Sequence, residues 1–143
     1  MEHTEKVEKI ERIKKIENMG KITIPCEIYS SKNSKRIVKN KAGKLFLVKS
    51  KQALLGDKEI KPYMIYFRDI FLEMTNTKPP PLVVRFKFYR RTRGRFDYIN
   101  ILQSLADNMV KYGWLRDDCA DEFLPIFEQY EVDNLFPRIE ISI

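Results

Sequence analysis

Hydrophobic positions change period several times along the chain, and each change predicts a new element. In residues 4–18 hydrophobic side chains recur every three residues among Glu–Lys and Glu–Arg pairs spaced four apart, which favours a charged helix. From Lys21 onward alternate positions are hydrophobic, as in a strand. Residues 36–38 and 45–48 are expected to form short strands on either side of the polar segment 40–44, so a β-hairpin is predicted there.

The middle of the chain predicts a helix followed by the strongest strand. Pro62 is expected to open the helix, because proline is tolerated in the first turn, and large apolar side chains follow it at helical spacing. Residues 76–81, with three consecutive prolines, should end it. In residues 82–91, Val84, Phe86 and Phe88 alternate with polar side chains, which predicts a strand with one buried face.

A second core helix is predicted from Asp97 to Tyr112, ending at Gly113, and residues 123–132 and 138–143 read as two closing strands. The predicted class is α+β: a mixed sheet of about four to six strands with two core helices, plus an N-terminal charged helix. We expect residues 1–20 to form a helical extension and residues 21–143 to form a single domain.

At 100° per residue, the second helix has an apolar arc that includes Ile99 and covers half its circumference, so we expect most of it to be buried. One polar stripe interrupts the hydrophobic surface. It contains Asn100, Gln103, Ser104, Asp107 and Lys111, with Asp97 at its edge. The stripe is either a solvent face with Asp97 as the helix cap or the border of a functional site.

The amino-acid composition limits the kinds of catalytic and metal site that this chain can form. The single histidine, His3 near the chain start, argues strongly against a Ser-His-Asp or Cys-His site and a multi-histidine metal site. Two cysteines far apart in the sequence exclude a cysteine-built zinc site. Catalysis would need carboxylates, lysines, tyrosines or a metal held by oxygen. No apolar run approaches the roughly 20 residues of a membrane helix, and the N-terminus has no signal-peptide core, so we expect a cytoplasmic protein without a membrane partner.

Charge is divided into blocks. Residues 1–20 carry five basic and five acidic side chains, residues 21–96 carry nineteen and five, and residues 97–143 carry three and ten. The central block, with a net charge of +14, suits a polyanion partner, although it could also be an unevenly charged solvated surface. An acidic block beside it would oppose binding unless its carboxylates, among them Asp117 and Asp118, hold a divalent cation.

The stretch from Arg90 to Asp118 resembles the RusA family of Holliday-junction resolvases. The family pattern is a basic run, then Asp-x-Asp-Asn-x-x-Lys at a helix start, an Asp within the helix, a Gly and a closing Asp-Asp pair. This chain matches it without gaps at Asp97, Asn100, Asp107, Gly113 and Asp118. The opening strand and polar loop at 22–33 are also similar, so the resemblance covers about residues 21–143.

The resemblance implies a homodimer that nicks four-way DNA junctions with Mg²⁺, for which Mn²⁺ substitutes, and it implies no small-molecule substrate. It implies that Asp97 and Asp118 are catalytic, metal-binding carboxylates, with Asp117 as a supporting neighbour and Asn100 fixing the helix start. The side chains expected to bind nucleic acid are Arg85, Lys87, Arg90, Arg91, Arg93 and Arg95.

Two positions depart from the family pattern. Ile99 replaces the second Asp of the pair, and Gln103 replaces the Lys. Either Asp107 or Asp117 supplies the missing metal ligand, or catalysis is weakened or lost and a DNA-binding protein remains. A third alternative is an interaction protein whose basic face meets RNA or an acidic protein, with Tyr89 and Trp114 as stacking surfaces unless these aromatics belong to the core.

Overall fold

The computed structural model describes residues 2–17, 20–29 and 35–143. The α+β prediction is confirmed: a mixed sheet of five strands, a separate two-stranded hairpin and three helices are present in these ranges. The polar loop predicted at 30–34 lies outside the described residues. In chain order the elements are α1 (Glu2–Glu17), β1 (Lys21–Ile24), β2 (Lys35–Lys39), β3 (Leu45–Lys49), α2 (Lys51–Thr75), β4 (Leu82–Arg90), α3 (Tyr98–Lys111), β5 (Phe123–Phe127), β6 (Glu131–Val132) and β7 (Arg138–Ser142).

The main sheet is built around β4. Its order is β1-β7-β4-β5, with β6 pairing farther along β4. β4 runs antiparallel to β7 and parallel to β5 and β6. A parallel neighbour needs a crossover, and α3 supplies it.

The closing strand predicted at 123–132 is two strands instead of one. The backbone N–H of Glu128 still donates to the Phe86 carbonyl at 2.9 Å, but that of Tyr130 donates to the Tyr98 hydroxyl on α3, also at 2.9 Å. The Tyr130 ring packs edge-on against Phe96. These contacts draw the chain out of the ladder, which resumes at β6.

One face of the sheet forms the core with the helices. Ile22 of β1, Ile141 of β7 and Phe86 of β4 lie in one row across the strands, and all three are fully buried. Helices α2 and α3 cover this face with side chains such as Phe67 and Leu105. Burying each large apolar side chain contributes roughly 1.5–3 kcal/mol.

Helix α2 begins about three turns earlier than predicted, so the expectation that Pro62 opens it is wrong. Its N-cap is Ser50, whose hydroxyl accepts a hydrogen bond from the Ala53 backbone N–H at 3.1 Å. Pro62 is exposed in the helix interior, while Ile60 and Met64 on either side of it are buried. Packing of this continuous apolar stripe outweighs the hydrogen bond that the proline cannot make.

Helix α3 is rotated relative to its predicted orientation. Ile99, expected in the buried arc, is 75% exposed, whereas the polar side chains of Ser104 and Asn108 are buried. The buried arc is therefore displaced by about 50° around the helix axis. Asn108 satisfies its buried amide by donating from Nδ2 to the Ser104 carbonyl at 2.8 Å, which allows this polar side of the helix to pack inward.

Candidate nucleic-acid and metal site

The basic side chains of β4 and of the loop that follows it divide into a group with partners in the chain and a group without ion pairs to the described residues. Lys87 forms an ion pair with Glu131 of the neighbouring β6, with Nζ and Oε2 3.4 Å apart. Arg90 donates to the Gly94 carbonyl at 2.5 Å, and its guanidinium lies 4.1 Å from the centre of the Phe96 ring. Arg85 is exposed on the open face of the sheet. Lys87 and Arg90 therefore have partners within the chain, and their contact with nucleic acid stays a prediction.

The loop after β4 carries the unpaired group. Its start is fixed where the backbone N–H of Arg91 donates to the Glu27 carboxylate. The side chains of Arg91, Arg93 and Arg95 are all exposed. None of the three forms an ion pair with a residue that the structure describes. We refer to Arg91, Arg93 and Arg95 as the arginine loop; its charges are available to an anionic ligand.

Asp97 stands between this loop and α3. It occupies the N-cap position, but its side chain makes no capping hydrogen bond to the helix backbone. Instead its Oδ2 accepts from Nδ2 of Asn100 at 3.2 Å. The carboxylate is thus oriented by Asn100 and exposed to solvent.

The other end of α3 fixes the second acidic segment. Gly113 adopts a left-handed conformation (φ +79°), its N–H donates to the Val110 carbonyl, and the Trp114 N–H donates to the Met109 carbonyl at 2.8 Å. This is a Schellman cap, which glycine favours at this position.

The Trp114 side chain is 2% exposed and donates from Nε1 to the Met64 carbonyl at 2.7 Å. Trp114 is therefore a core residue, not a base-stacking surface, and it anchors the chain just before Asp117.

Asp117 and Asp118 follow this anchor at the surface. The backbone N–H of Asp118 donates to Oδ1 of Asp117 at 2.8 Å, so Asp117 orders the turn that presents Asp118. The pKa of Asp107 on α3 is raised, first by partial burial and then by the negative charge of Asp118, while Lys49 acts in the opposite direction. The charge of Asp118 thus acts on the Asp107 carboxyl, which makes Asp118 an electrostatic neighbour of Asp107.

The structure does not bring Asp97 and Asp107 together. They are separated by ten residues of a continuous helix, which is about 15 Å along the axis. Two aspartates with metal–oxygen bonds of about 2.1 Å cannot reach one ion across that distance. Within residues 2–17, 20–29 and 35–143, no three Asp, Glu, His or Cys side chains gather closely enough to hold a metal ion. The three-carboxylate set of Asp97, Asp107 and Asp118 is thus not assembled within one chain.

Two residues beside the carboxylates were not predicted from the sequence. Lys49, the last residue of the hairpin, pairs with Asp57 of α2, with Nζ and Oδ2 2.6 Å apart. Both line a small cavity of about 60 Å³ together with Asp107, Asn108 and Lys111. These residues come from distant parts of the chain, so no local pattern reveals that they meet.

The sequence matches no protein-family model and no curated protein. In the ranges that the structure describes, none of the helices combines the length and the apolarity needed to traverse a bilayer. Function is therefore inferred from the residues and their arrangement.

Proposed function

We propose that the protein is a magnesium-dependent endonuclease that binds branched or duplex DNA and nicks four-way junctions as a homodimer. The observation that carries the proposal is the layout of α3. The arginine loop, with no ion pair to the described residues, leads into its first turn. Asp107, whose pKa the charge of Asp118 helps to raise, lies in the second half of the helix. The ordered resemblance to the RusA pattern supports the same assignment. On this proposal the protein acts on DNA in the cytoplasm.

The carboxylates fit a magnesium ion in number and kind. Magnesium is usually held by one or two carboxylates, with water and substrate phosphates completing its octahedron. Asp107 and Asp118 would supply that pair, and their repulsion would be relieved by the cation. When bound, the metal activates water and offsets charge on the leaving oxygen.

The remaining groups act on the substrate without the metal. The arginine loop would bind phosphates of the DNA strand, and Asp97, oriented by Asn100, would lie next to that strand at the start of α3. A two-fold symmetric dimer would present two such surfaces to the two-fold symmetric junction.

A second candidate is a DNA-binding protein that no longer cuts. It is favoured by Ile99, which stands in the place of the family's second aspartate and is 75% exposed beside Asp97. A hydrocarbon side chain there cannot bind a metal. Both candidates predict binding to junctions, and only the first predicts magnesium-dependent nicking.

Three single substitutions test the carboxylate assignment. Asp107→Asn and Asp118→Asn should each lower the rate of junction nicking at least 100-fold, since even changes outside the ligand set of a metal cost about 10- to 100-fold. Asp121→Asn is the matched control, because Asp121 is an exposed carboxylate in the same segment. Equal rates in all three variants would show that neither Asp107 nor Asp118 takes part in the reaction.

A further inference from the structure

The β2–β3 hairpin carries an apolar face that nothing in the described structure covers. Its strands pair only with each other, with Ile37 opposite Leu47 and Lys39 opposite Leu45. Directly opposed residues of an antiparallel pair share a face, so Ile37, Leu45 and Leu47 lie together. They are 69%, 63% and 65% exposed. Contiguous exposed apolar surface of this kind marks a site of interaction.

Charge around this face selects the class of partner. Residues 28–56 contain eight lysines and arginines and no aspartate or glutamate. Lys39, Lys41 and Lys44 surround the tip of the hairpin, are exposed, and have no ion-pair partner among the described residues. An anionic partner complements this surface, whereas a second copy of the hairpin would bring like charges together.

The hairpin is held in a fixed shape. At its tip, the Lys44 N–H donates to Asn40 Oδ1 at 2.8 Å, and Gly43 adopts a left-handed conformation (φ +83°) that closes the turn. At its base, the ion pair between Lys49 and Asp57 joins the hairpin to α2, beside the cavity that Asp107 lines. The ribbon therefore stands next to the candidate carboxylates.

We propose that the β2–β3 hairpin is a second nucleic-acid contact, which enters a groove of a DNA arm next to the cleavage site. A two-stranded ribbon fits the major groove, which is about 12 Å wide. Lys39, Lys41 and Lys44 bind phosphates along the groove, and Ile37, Leu45 and Leu47 contact sugars and thymine methyl groups. The inference rests on the proposed function, because it assigns a further surface to the same DNA substrate.

Two variants separate the charged and apolar contributions. Lys39→Ala/Lys41→Ala/Lys44→Ala should lower the slope of log K against log salt for duplex DNA by about 2.7 units, at about 0.9 for each phosphate. Ile37→Thr/Leu47→Thr keeps strand propensity and charge, and should weaken binding about tenfold without changing the slope. The control Lys6→Ala/Lys9→Ala/Lys78→Ala removes the same charge from α1 and the loop before β4, and should leave the slope within about half a unit of wild type.

The outcomes distinguish this inference from the proposed function. If wild-type protein binds DNA and the arginine-loop variant Arg91→Ala/Arg93→Ala/Arg95→Ala lowers the slope while the hairpin variants behave like the control, the hairpin assignment alone is overturned. If wild type binds neither junction nor duplex, both proposals fail.

Loss of a dimer in Ile37→Thr/Leu47→Thr with unaltered DNA affinity would assign the face to a second copy. Hairpin-dependent sedimentation with phosphatidylserine vesicles, without an effect on DNA binding, would assign it to a membrane. Either of these last two results overturns the proposal.

Discussion

Replacing the three arginines of the loop with alanine measures how many phosphates this loop binds. The side chains of Arg91, Arg93 and Arg95 are exposed and form no ion pair with the described residues, so each is available for one phosphate. Each contact contributes about 0.9 to the salt slope, so the triple variant should lose about 2.7 units. Between about 50 and 200 mM salt, wild-type affinity should therefore fall about 40-fold more than that of the variant.

The assay is fluorescence anisotropy with a labelled junction and a matched linear duplex across that salt range. Binding to both should weaken, because phosphate contacts carry little sequence information. Thermal stability should change little, since surface substitutions without partners usually lie within about 0.5 kcal/mol of neutral. An unaltered slope together with a clear fall in melting temperature would show that the arginines stabilise the fold, and it would refute their role in DNA binding.

Three further predictions concern the fold and the carboxylates. Burial raises the pKa of the Cys26 thiol to about 12, so in the native protein maleimide should label Cys119, which is exposed, and should reach Cys26 only after unfolding, as mass spectrometry would show. Gly113→Ala should lower the melting temperature by about 5 °C, because a residue with a side chain in the left-handed conformation costs about 1–2 kcal/mol. The added Cβ would also lie 2.9 Å from Arg68 Nε. An unchanged melting curve would contradict the role of Gly113 in the helix cap. The pKa of Asp107 in the folded state is raised above its ordinary value of 3.8, so its carboxyl contributes stability at pH values below 3.8. That contribution is lost as the pH rises through the raised pKa. In chelator, Asp107→Asn should therefore melt at a higher temperature than wild type at neutral pH but not in acid. Magnesium should raise the melting temperature of wild type more than that of this variant.

Regular alternation made much of the fold predictable. The pattern Val84, Phe86, Phe88 fixed the buried face of β4, and the polar run between two hydrophobic stretches located the hairpin. Both signals are local, because the period of a strand is visible in a few residues. The break between β5 and β6 was not visible, since it depends on the hydrogen bond from Tyr130 to the Tyr98 hydroxyl of a distant helix.

Helix starts and faces were harder to predict for a physical reason. Pro62 gave a familiar first-turn signal, but the apolar stripe of α2 continues past it on both sides. For α3, helical angles gave the relative positions of side chains and not the side that packs inward, so Ile99 was placed in the core although it is exposed. Which side is buried depends on the sheet and α2, and therefore on residues far away in sequence.

The candidate site was partly predictable. The arginine loop and Asp97 are contiguous, and the sequence alone placed them together at the end of β4. The ten-residue spacing of Asp97 and Asp107 also fixes their separation on one helix, a constraint available from the sequence once the helix is accepted. The approach of Lys49 and Asp118 to Asp107 needed the tertiary structure.

Nicking of a labelled four-way junction by purified wild-type protein, with magnesium or with chelator, tests the central claim most directly. We predict paired nicks on opposite strands of the junction in magnesium, none in chelator, and no comparable cutting of a matched linear duplex. Tight binding of the junction without nicking in magnesium or manganese would contradict the catalytic claim and would favour the protein that binds DNA and does not cut it.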